Sequence, residues 1–162
     1  MTNKRLARSI LLLVIGMLLS GCSGHGAEGQ PVPPPGALDI LQRPSSPNTA
    51  LAAPSGYKPV PDILTPRYGV PPQALYTAIR RIAAEMPRTY PLSNADDRLE
   101  ASYVARSRVF NFPDIIMLKV SAVPGGSTLV LYSASRYGES DFGVNKTRLT
   151  AWLAALDTML VR

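Results

Sequence analysis

The chain has 162 residues, room for one domain, and its 17 Lys and Arg outnumber 11 Asp and Glu for a formal charge of +6. Part of that excess is local: removing Lys4, Arg5 and Arg8 from the 17 basic residues leaves 14 against 11 acidic ones, too mild an imbalance to argue for nucleic acid as a partner. One cysteine and one histidine leave no intrachain disulfide and no Cys/His ligand set for zinc.

Residues 1–21 read as an export signal. Lys4, Arg5 and Arg8 form a basic start, and residues 10–19 are a continuous apolar run, shorter than the roughly 20 residues of a membrane span. The run ends in Leu19-Ser20-Gly21-Cys22, which resembles the lipobox of bacterial lipoproteins. That resemblance implies cleavage before Cys22, diacylation of its sulfur and acylation of its new amine. Several acyl chains on Cys22 anchor a protein stably in a membrane. Ser23 rather than an aspartate follows Cys22, which by analogy with the sorting of enteric lipoproteins favours the outer membrane facing the periplasm over the inner membrane.

Residues 22–61 are rich in Pro, Gly and Ser and are expected to form an extended tether. His25 falls in this segment, away from any candidate site. Residues 62–162 then read as an α+β domain: a small antiparallel sheet of three to four strands with two helices packed on one face.

Pro71-Pro72 opens the first helix, whose apolar stripe is Leu75, Ala78, Ile79, Ile82 and Met86, and Pro87 stops it. Strand patterns cover residues 99–109, 115–123 and 127–136, with a weaker one at 88–92. Pro124-Gly125-Gly126 joins two of them as a hairpin turn. The last helix is expected over residues 146–161, with Asn145 as its N-cap and Leu149, Trp152, Leu153, Leu156 and Leu160 on its buried side.

The densest polar chemistry lies where the last strand passes into that helix, in S-A-S-R-Y-G-E-S-D-F-G-V-N-K-T-R over residues 133–148. Arg148 falls in the first helical turn, where a cation opposes the helix dipole and calls for a partner. Asp141 is the nearest carboxylate and Glu139 the next; Arg136, Arg106 and Arg108 are candidates to join the cluster. Three uses of these residues stay open. The arginines and Asp141 can staple the loop to the helix. Surplus guanidinium groups and free amides can hold a small anionic ligand. Asp141 or Glu139 can act as acid or base in an envelope hydrolase.

Other chemistries find little here. Residues 138–143 are not G-x-S-x-G, and no histidine stands in the domain to activate Ser140. No phosphate-binding glycine loop or EF-hand spacing occurs. Asp96, Asp97 and Glu100 read as an exposed acidic turn rather than a calcium site. No metal and no cofactor are expected. The leading expectation is a lipid-anchored, non-enzymatic binding or structural module, its partners being the membrane and an envelope protein or small anion.

Arg106-Ser107, Phe110-x-Phe112-x-Asp114 and S-A-S-R-x-G-x-S-D-x-G-x-N-x-x-R resemble the domain of unknown function family numbered 1499, from about Arg43 to the C-terminus. Residues 43–48, R-P-S-S-P-N, resemble the family's opening S-P-N segment, which implies that they dock on the domain. Thr49 stands where many members carry a cysteine, and Ile115 follows Asp114 where members often carry an acidic pair. The resemblance implies a shared fold and site, not a reaction.

Overall fold

The computed structural model describes residues 24–161. The export signal and Cys22 lie outside the described residues. The strands are β1 (Thr49–Ala53), β2 (Ile63–Leu64), β3 (Thr89–Ala95), β4 (Glu100–Arg106), β5 (Pro113–Val123) and β6 (Gly126–Ser135). The helices are α1 (Pro72–Glu85) and α2 (Val144–Leu160). All six strands form one sheet in the order β2-β1-β6-β5-β4-β3, with β1 and β2 parallel and every other pair antiparallel.

The α+β class and the two helices on one face match the sequence, but the sheet of three to four antiparallel strands does not: it has six and is mixed. Of the two unexpected strands, β1 lies in the Pro-rich stretch expected as a tether and β2 just past its end. β1 is Thr-Ala-Leu-Ala-Ala, poor in the β-branched and aromatic residues that mark strands, and β2 is two residues long. Their place in the fold explains the composition. Ala50 and Ala52 of β1 lie beneath α2 and are fully buried, so small side chains let the helix approach. Asp62 fixes the return of the chain, since its carboxylate accepts from the Leu51 amide at 2.8 Å and its own amide donates to the Leu51 carbonyl at 2.8 Å.

At the other edge β3 contains Pro91, tolerated because an edge strand has one side free of ladder bonds. The hairpin at Pro124-Gly125 forms as expected, with Val123 opposite Gly126. Gly126 is required there, because a Cβ on it would meet the Tyr68 carbonyl oxygen at 2.0 Å.

Alternation along the strands sorts two cores. Toward the helices point Ala101 and Tyr103 of β4, Ile116 and Leu118 of β5, and Leu129 and Leu131 of β6, packed on Leu75, Ile79, Leu149 and Trp152. Tyr103 meets Trp152 edge-on at 5.9 Å between centroids. Away from the helices, Leu51, Val130 and Tyr132 pack on Leu38, Leu41 and Tyr57. The region expected as a free tether therefore covers the second face of the sheet. Leu38 sits in a 3-10 turn (Ala37–Ile40), and the Tyr57 hydroxyl bonds its carbonyl.

Candidate functional site

β6 ends at Ser135, and eight residues later the chain enters α2 through Gly143, whose φ of 80° is accessible because glycine lacks a Cβ. This turn shifts the helix start to Val144. Asp141, not Asn145, supplies the cap: its Oδ1 accepts from the Gly143 amide at 2.9 Å and its Oδ2 from the Asn145 amide at 2.8 Å. A carboxylate at this end also complements the helix dipole.

Asn145 stands inside the helix and is fully buried, with its side chain turned into the sheet. Its Nδ2 donates to the Asn48 carbonyl at 2.9 Å and to Ser135 Oγ at 3.0 Å. Its Oδ1 accepts from the Ser133 hydroxyl and from Arg148 Nη1. Asn48 is itself tied down, donating to the Gly138 carbonyl at 2.7 Å. The S-P-N segment thus docks on the junction.

Arg148 pairs with Asp114 rather than Asp141. Nη2 lies 2.6 Å from Asp114 Oδ2, the two side chains being 14% and 7% exposed, and Nη1 donates to Ser133 Oγ at 2.9 Å. Geometry selects the partner. Asp114 shares the helix-facing side of β5 with Ile116 and Leu118 and stands opposite Ser135, directly beneath the first turns of α2. Asp141 spends both oxygens on the cap.

The other expected members do not join. Arg106 falls on the far side of β4, in register with Ser102 and Val104, where Nε donates to the Gly26 carbonyl at 2.7 Å and Nη1 to the Asn111 carbonyl at 3.0 Å. β4 ends at Arg106, short of the strand pattern expected over residues 99–109, so Arg108 lies in the following exposed loop. Arg136 and Glu139 are exposed and make no ion pair among the described residues. Asp114, Ser133, Ser135 and Asn48 are the members that the polar run alone did not single out. The alternation of Asp114 with Ile116 was the signal for one of them.

Beside this network opens a cleft of about 510 Å³. Phe110, Phe112, Tyr137 and Phe142 form its aromatic lining, and Asp114, Ser135 and Asp141 its polar part. Phe110 and Phe112 stack at 5.6 Å between centroids, and Tyr137 lies 6.2 Å from Phe112. Phe142 is held at φ 52°, a left-handed conformation uncommon for a bulky residue, and is 96% exposed. Asn145 and Arg148 lie outside the cleft lining. Among the described residues no group of three or more His, Cys, Asp or Glu is placed to hold a metal ion.

Comparison with curated proteins finds no match. A family profile described as "Protein of unknown function (DUF1499)" matches residues 39–156, from the 3-10 turn on the second face of the sheet into the last turns of α2. The chain belongs to the DUF1499 family.

Proposed function

We propose that the protein is a lipid-anchored module of the bacterial cell envelope, attached through Cys22 to the outer membrane, that binds a ligand without transforming it. The aromatic cleft at the strand-to-helix junction is its binding seat, and the Asp114–Arg148–Asn145 network is the scaffold that shapes it. The observation that carries this reading is the cleft itself: four aromatic side chains around about 510 Å³, three of them, Phe110, Tyr137 and Phe142, at 66%, 47% and 96% exposure.

The chemistry of the lining selects the ligand class. Arg148 is neutralised by Asp114, and the first amides of α2 are taken by Asp141, so neither offers an anion a free partner. The carboxylates and hydroxyls that line the cleft favour a hydrogen-bond donor or a cation. Asp114 Oδ1 carries no hydrogen bond among the described residues, and Ser135 has its hydroxyl proton to give. An amphiphile with an apolar body and a donor-bearing head fits both parts.

The test is a thermal-shift screen of a chain beginning at Gly24, which keeps every strand and both helices. A non-ionic amphiphile such as octyl glucoside, below its micelle concentration, should raise the melting temperature, and Phe142→Ser with Tyr137→Ser should abolish the shift. An equal shift in that double variant would sink the reading.

A further inference from the structure

Val109, Phe110, Phe112, Tyr137 and Phe142 are exposed together at the end of the sheet where β4 turns into β5 and β6 leaves for α2. Apolar surface concentrated in this way marks a face that something covers. The path of the N-terminal segment identifies the cover. Asn111, the residue between Phe110 and Phe112, donates from Nδ2 to the Gly24 carbonyl at 3.1 Å. Arg106 holds the Gly26 carbonyl at 2.7 Å, and Gly24 packs so closely on Arg106 that a Cβ there would meet Nη2 at 2.8 Å.

At Gly24 the chain is therefore fastened to the aromatic loop. Two residues of extended chain reach at most about 7 Å. An acyl group on Cys22 would start within that reach of Gly24, which holds the loop between Phe110 and Phe112, while the Pro-rich segment that would have held the domain away from a bilayer lies folded on the sheet. Arg108, Arg136 and Lys146 are exposed around the same end without an ion pair among the described residues, and the exposed Glu139 and half-buried Asp141 are acidic groups beside them.

We infer that this end of the domain is seated in the membrane that carries its anchor. Phe110, Phe112, Tyr137 and Phe142 enter the boundary between headgroups and acyl chains, and Arg108 and Arg136 meet lipid phosphates. Aromatic rings favour that interface because one part of it is apolar and the other wet, and basic residues beside them are drawn to anionic lipid. A bilayer is the occupant because the anchor presents it to this face without a search. The inference rests on acylation at Cys22 and makes bilayer lipid the amphiphile of the cleft.

The experiment uses the full, acylated protein reconstituted in phosphatidylethanolamine–phosphatidylglycerol vesicles. Phe142→Trp reports on the rim, and Ala122→Trp, exposed near the opposite hairpin, serves as the distant control. The buried Trp152 is common to both and is subtracted with the parent chain. Lipids brominated high on the acyl chain should quench Phe142→Trp and leave Ala122→Trp bright. A protein that floats with the vesicles but keeps an unquenched, water-exposed signal at Phe142→Trp overturns the seating while the anchor stands. A protein absent from the vesicle fraction overturns both. The cleft fails separately, in the octyl glucoside screen on the unanchored chain.

Discussion

Arg148 on α2 and Asp114 on β5 form a nearly buried ion pair at 2.6 Å, and it joins the last helix to the middle of the sheet. Removing one partner leaves the other charge buried without compensation, which costs about 3–5 kcal/mol. Arg148→Ala and Asp114→Ala should each destabilise the protein by about that much in urea unfolding. The double variant should lose clearly less than the sum, because the stranded charge is then gone. Additive losses would show that the two side chains act independently.

Asp141 caps α2 and Glu139 stands free in solvent, so their substitutions should separate. Asp141→Ala removes the acceptor of two amides and should cost about 0.5–2 kcal/mol. Asp141→Asn keeps one of the two acceptor oxygens and should fall between the parent and the alanine variant, whereas Glu139→Gln should unfold close to the parent. If either amide variant abolished a cellular phenotype while stability held, the residue would be acting as an acid or base.

Tyr68 points its hydroxyl into the core, where it has no hydrogen-bond partner among the described residues. Burial, helped by the charge of Asp157, pushes its pKa up to about 12. An unsatisfied buried hydroxyl costs about 1–3 kcal/mol. Tyr68→Phe should therefore unfold at equal or higher urea concentration than the parent. A clear loss of stability would mean that the hydroxyl is bonded in solution.

How much of this was legible in the sequence differs by element. The helices and the β4-β5-β6 meander announce themselves through periodicity and through Pro124-Gly125. β1 does not, because its alanines answer to the helix above them and carry no strand signature. The junction was legible as a place and misread in its pairings. Asp141 is nearest to Arg148 in sequence, but one glycine at 143 turns it toward the amides and leaves Arg148 facing Asp114. Sheet register, which brings residues 114, 133, 135 and 148 together, is a tertiary property that local spacing does not carry.

Asp96 accepts from the Tyr76 hydroxyl at 2.9 Å and from Arg80 at 2.8 Å. The Tyr76 hydrogen bond, then that of Asn94, holds its pKa below the ordinary 3.8, with Arg80 adding to the effect. A carboxyl depressed on folding contributes stability that is complete above its unfolded value and lost as pH falls through the folded one. Asp96→Asn should therefore flatten the fall of the melting temperature below about pH 4 and change its slope little above that. An unchanged acid limb would mean that Asp96 contributes nothing to acid unfolding.

In the proposed function the charged network is scaffold and the aromatic cleft beside it is the binding seat. Backbone amide spectra of the chain from Gly24, titrated in parallel with octyl glucoside and with inorganic phosphate, separate these two roles. The amphiphile should shift Phe110, Phe112, Tyr137 and Phe142, and phosphate should leave Asn145 and Arg148 in place. Saturable phosphate shifts at Asn145 and Arg148, with the aromatic residues unmoved by the amphiphile, would contradict those roles.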